Sequence, residues 1–156
     1  MGPQRLCLLV LAAFYSAFCY AEVMAKASVV SDQKPGLRAW EDSVGLPFSD
    51  LVSRLREILG VRLVAYIGGV KSTRPVSEWA AGQAKPGEIE RERLQHAFHA
   101  AALLRERYDA ATVQSWFKGM NPSLDDASPA QLLATGDPLA VASDVLAAAK
   151  SFAYIG

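Results

Sequence analysis

His96 and His99 stand three residues apart, with Glu92 one helical turn earlier, so a helix through this stretch places two imidazoles and a carboxylate on one side. That set could begin a metal site, but no fourth ligand lies nearby, and ordinary helix-surface histidines are the expected reading. No serine sits in a nucleophile elbow, no glycine-rich loop follows a strand, and no paired carboxylates stand in an apolar setting. Neither an enzyme nor a cofactor is expected.

A second constellation lies in "STRPVSEWAAGQAKP", residues 72–86. Pro75 belongs in a first helical turn, which starts a helix at about Arg74, with Ser72 and Thr73 placed to cap it. Gly82 and Pro86 end it. A short apolar helix in "RLVAYIGG" precedes it across the tight connection "VKST". This is the order of a helix-turn-helix, whose second helix enters the DNA major groove. Val76 and Trp79 are expected to face the core, and Arg74, Ser77, Glu78 and Ala81 to point outward. Arg74 could make a bidentate contact to guanine, while Lys71, Ser72, Thr73 and Lys85 approach phosphates. Ala65 and Val76 are eleven apart, one more than the usual motif, so a capped helical hairpin in a plain bundle is the competing reading.

The elements holding these residues all read as helical. "FSDLVSRLREILG" places Phe48, Leu51, Leu55, Ile58 and Leu59 on one stripe, stopped by Gly60. "PGEIERERLQHAFHAAALLRERYDA" is the longest helix, with Leu94, Phe98, Ala101, Leu104 and Tyr108 as its buried stripe and Glu88, Glu90 and Glu92 near its N-terminus. A further turn or two follows in "AATVQSWFKGM". Ser128 with Pro129, and Asp137 with Pro138, then open two more helices. The fold class is all-α, a bundle of roughly seven helices. Residues 24–47 read as a flexible segment with Trp40 as its anchor on the core.

Half of the 156 residues are apolar and the net charge is zero, but the charge is uneven. Residues 50–107 carry ten Lys/Arg against seven Asp/Glu, and residues 108–156 carry two against five. Cys7 and Cys19 are the only cysteines, so the body of the chain holds no disulfide framework. Arg5 followed by "LCLLVLAAFYSAFCYA" has the form of a signal peptide ending at Ala21, and Met24 offers an alternative start. The apolar run is short for a membrane span.

"VSEWAAGQAKP" resembles the end of the DNA-reading helix in Xre-type regulators. The stretch from Trp116 through "NPSLDDASPAQLLATGDPLAVASDVL" resembles the toxin-binding domain of the Xre/MbcA/ParS antitoxin family. Residues matching that pattern are Trp116, Asn121, Pro122, Leu124, Pro129, Leu132, Leu133, Gly136, Val141 and Leu146. The departure is "DDAS", where the family usually has glycines.

The resemblance implies a helix-turn-helix DNA-binding domain over residues 48–107 and a small helical toxin-binding domain over 108–156. It implies a cytoplasmic, membrane-free antitoxin that binds a toxin, commonly of the RES-domain type that consumes NAD, and represses its own promoter. It would act as a homodimer or in a toxin–antitoxin hetero-oligomer. Residues 1–23 then read as an upstream misassigned start. Trp116, Pro129, Leu132, Leu133, Gly136, Phe152 and Tyr154 are the residues expected to serve toxin binding. Phe152, Tyr154 and Ile155 sit on a terminus that ought to fray, and either fold back or act as anchors for a partner. A stand-alone repressor whose C-terminal helices dimerise is the alternative.

Overall fold

The computed structural model describes residues 36–154, which lie within one compact unit, Pro35–Gly156. The leader, both cysteines and Ile155 lie outside the described residues. Eight α-helices and one 3-10 turn are described: α1 (Leu37–Gly45), α2 (Phe48–Leu59), α3 (Val61–Ile67), α4 (Arg74–Ala80), α5 (Glu88–Arg105), α6 (Ala110–Lys118), the turn Pro122–Leu124, α7 (Pro129–Thr135) and α8 (Pro138–Tyr154). Among the described residues there is no strand, and no helix is long and apolar enough to cross a membrane.

The core is built around α5. Its Leu94, Phe98, Ala101 and Leu104 are fully buried, together with Ala97, Ala100 and Leu103, so this helix is apolar on nearly every side along its second half. α1, α2, α3, α6, α7 and α8 all pack on it. Leu51, Val52, Leu55 and Leu59 come from α2, Val64, Ala65 and Ile67 from α3, Val113 and Phe117 from α6, Leu133 from α7, and Val145, Ala148 and Ala149 from α8. One apolar cluster therefore spans residues 48–107 and 108–154 alike.

Proline and short polar caps set the helix starts. Ser128 Oγ accepts from the Gln131 amide at 3.2 Å ahead of Pro129, and Asp137 Oδ1 accepts from the Leu139 amide at 3.0 Å beside Pro138. Asp109 caps α6 in the same way, accepting from the Thr112 amide at 2.8 Å. The Thr112 side chain first, and its amide second, hold the Asp109 carboxyl below the usual carboxylate range.

Four expectations need correction. Residues 37–45 of the expected flexible segment form α1, seated on α5 by Ala39, Ser43 and a 2.9 Å bond from Gln95 Nε2 to the Ser43 carbonyl. Trp40 does not anchor it: the residue is 53% exposed, and the buried positions of α1 are Ala39 and Ser43. Neither Ser72 nor Thr73 caps α4; Thr73 has helical backbone angles, and its carbonyl accepts from the Ser77 hydroxyl at 3.3 Å. Finally, α5 stops at Arg105, so Tyr108 stands in the turn before α6 rather than on the helix.

Candidate functional site

The α3–α4 hairpin is fixed from within by Ala65, Val76 and Trp79, all buried. The turn joining it depends on two glycines. Gly68 lies 3.6 Å, at an added Cβ, from the Trp79 ring and 3.3 Å from the Val64 carbonyl, and Gly69 takes a positive φ of 71°. The longer turn between Ala65 and Val76 is thus absorbed by a left-handed glycine. The Val70 amide closes it on the Ala65 carbonyl at 3.0 Å.

Outward from this support stand Lys71, Ser72, Thr73, Arg74 and Ser77, all exposed, with Lys85 exposed beyond the helix. Arg74 is not free. Its Nε donates to Glu78 Oε1 at 2.8 Å, an i,i+4 pair on the exposed side of α4. The pair keeps the guanidinium protonated to a higher pH than usual. Because Nε is the nitrogen engaged, both Nη groups remain available to a guanine edge.

The residues expected to serve toxin binding divide into four sets. Pro129, Leu133 and Trp116 are buried, so they shape the surface from beneath instead of lining it. Trp116 Nε1 is buried without a hydrogen-bond partner among the described residues. Gly136 is set by packing: an added Cβ would sit 2.6 Å from Val141 Cγ1 and 2.8 Å from the Leu132 carbonyl oxygen. Leu132 is half-buried and lines a groove between the 3-10 turn, α7 and α8.

Phe152 and Tyr154 gather elsewhere, at the far end of α8. The terminus does not fray within the described residues: α8 runs to Tyr154 and folds back on the α5–α6 turn. The Phe152 ring lies 4.9 Å from Tyr108 and 6.4 Å from Trp116, and the Tyr108 hydroxyl donates to the Phe152 carbonyl at 3.0 Å. The Tyr154 hydroxyl donates to Glu106 Oε2 at 3.2 Å, while the Arg107 guanidinium covers its ring at 4.8 Å. Burial and the neighbouring Glu106 carboxylate raise the Tyr154 phenol above its ordinary value. Glu106 Oε2 also accepts from the Gly36 amide at 3.2 Å, so one carboxylate holds both the entry to α1 and the end of α8.

The loop where glycines were expected has a clear reading. Asp125 and Asp126 both lie in the left-handed region, with φ of 54° and 60°. Aspartate is among the few side chains that tolerate it. The loop keeps the conformation that glycine would adopt freely, without glycine. Sequence reasoning passed over Asp109 and Glu106 and gave Tyr108 only a core role; the Asp109-to-Thr112 spacing alone offered a signal, that of an N-cap.

His96 and His99 are half-buried on α5, and burial is the main cause lowering both imidazoles. Among the described residues no group of three His, Cys, Asp or Glu side chains could hold a metal ion.

No protein-family model and no curated protein matches the chain. Among solved structures it is similar to the MbcA antitoxin in the crystal structure of the M. tuberculosis MbcT–MbcA toxin–antitoxin complex. The two are 28% identical, with a TM-score of 0.53, over 66% of this chain and 94% of that one. The fold is thus that of a small all-α antitoxin. That likeness supports an assignment of the chain as MbcA-like.

Proposed function

We propose that this protein is the antitoxin of a toxin–antitoxin pair, binding and neutralising a cognate toxin and repressing its own operon. The observation that carries the reading is the likeness to MbcA, which spans nearly all of that chain at 28% identity. The toxin is proposed to be of the RES-domain type that consumes NAD, and the site of action the cytoplasm. The antitoxin itself performs no catalysis; it occupies another protein.

The DNA-binding half of the proposal rests on the α3–α4 hairpin. Its buried Val76 and Trp79, its exposed Arg74 and Ser77, and the cations Lys71 and Lys85 at either end of α4 suit a helix entering the major groove. The second half rests on the acidic surface of residues 108–154 and on the end of α8.

The test is co-expression of the tagged full chain with the neighbouring reading frame, followed by mass spectrometry of what remains bound. A stoichiometric partner that is toxic when expressed alone is the expected result. A homodimer with no partner, still binding its promoter, would instead make the protein a stand-alone repressor.

A further inference from the structure

The groove between the 3-10 turn, α7 and α8 holds about 410 Å³. Leu124, Leu132 and Val141 supply the larger apolar side chains of its lining, and Ala147 and Ala148 the small ones. Asp125 and Asp144 stand in its lining, both exposed. Among the described residues neither has a cation within ion-pair distance, and the only side-chain hydrogen bond to either is a long one, 3.5 Å from Ser143 Oγ to Asp144 Oδ1. The surroundings are acidic as well: residues 108–154 hold Asp109, Asp125, Asp126, Asp137 and Asp144 against Lys118 and Lys150.

We propose that this groove receives a basic segment of the partner protein, seating an arginine or lysine side chain between Asp125 and Asp144. The aliphatic stem of such a side chain lies along Leu132 and Val141 while its charged head reaches the two carboxylates. An acidic or purely apolar segment would leave the carboxylates facing a like charge or stripped of water, at a cost that selects against it. The proposal rests on the antitoxin reading for the identity of the partner, but the groove chemistry stands on Asp125, Asp144 and the apolar lining.

The experiment uses the full chain with methyl-labelled leucine and valine. Acetyl-Leu-Arg-Ala-Leu-Arg amide is titrated while the Leu124, Leu132 and Val141 resonances are followed, beside the same peptide with glutamate for arginine. Asp125→Asn with Asp144→Asn is carried in parallel; both changes preserve shape at exposed positions, and a thermal melt confirms the fold. In the proposed case the arginine peptide alone moves the groove methyls, the double variant abolishes the effect, and toxin affinity falls tenfold or more in that variant. Groove methyls that stay still, or that move equally in the double variant, would overturn the proposal, as would undiminished toxin binding by that variant. If the wild-type chain binds the arginine peptide in the groove but no neighbour-encoded toxin, the antitoxin reading fails and the basic-segment site stands.

Discussion

Glu78 holds the Arg74 guanidinium one turn along α4, Oε1 to Nε at 2.8 Å, on the side of the helix proposed to meet DNA. A carboxylate there repels phosphates yet engages only Nε, leaving both Nη groups to donate elsewhere. Arg74→Ala is expected to weaken operator binding roughly tenfold, the range for a side chain that reads a guanine. Glu78→Gln is expected to raise affinity for any DNA while narrowing the gap between operator and random sequence. Fluorescence anisotropy on both DNAs measures each effect, and an unaltered Arg74→Ala titration would move the reading element away from α4.

The left-handed aspartates predict a gain in stability. Asp126→Gly relieves a φ of 60°, and about 0.5–1 kcal/mol of added stability is expected after the entropic cost of glycine in the unfolded chain. Asp126→Ala, which keeps a Cβ and loses the polar tip, should destabilise instead. Urea unfolding of the two variants decides the sign.

Gly136 is confined by backbone as well as by side chain. Gly136→Ala is expected to cost about 2 kcal/mol or more, since the new methyl meets the Leu132 carbonyl and Val141 together. Adding Val141→Ala should restore only part of the loss, because the carbonyl stays where it was. Denaturant midpoints of the single and double variants test this.

The end of α8 is docked through Phe152 and Tyr108. Phe152→Ala is expected to cost about 1–2 kcal/mol, less than a fully buried phenylalanine because the ring is 36% exposed. Amides of the last turn of α8 should then exchange faster with solvent. If the docked aromatics also hold the toxin, Phe152→Ala with Tyr154→Ala releases toxicity while promoter binding persists.

Acid should weaken the fold through α5. Burial, then Lys150, then His96 lower the His99 imidazole, so its folded value lies below the unfolded 6.5. The unfolded chain binds the proton first, and the stability present above that value is lost as pH falls through it toward the folded value. Melting temperature is expected to drop below about pH 6.5, and His99→Gln to flatten that drop. Parallel pH profiles of wild type and variant provide the comparison.

The helix starts written in proline and short caps, at Pro129 and Pro138, were legible because such signals act within four or five residues. So was the stripe of α5, whose Leu94, Phe98, Ala101 and Leu104 are buried together. α1 was hidden for a physical reason. Its apolar residues Leu37, Trp40 and Val44 face solvent, its buried ones are Ala39 and Ser43, and it begins at a left-handed Gly36 against Leu103. Nothing local marks it; its partner lies far along the chain. The same holds for the candidate sites. Arg74 and Ser77 were placed outward by periodicity, whereas the Glu106 clasp and the groove lined by Leu132 arise only once separate elements meet.

Because α5 runs through a single apolar cluster, the hairpin proposed to face DNA and the surface proposed to face a partner are expected to share one unfolding event. A protease that captures the opened chain would then remove both proposed activities at once, leaving no fragment to repress without neutralising. Repression and protection would therefore decay with one common lifetime, set by the opening of this core.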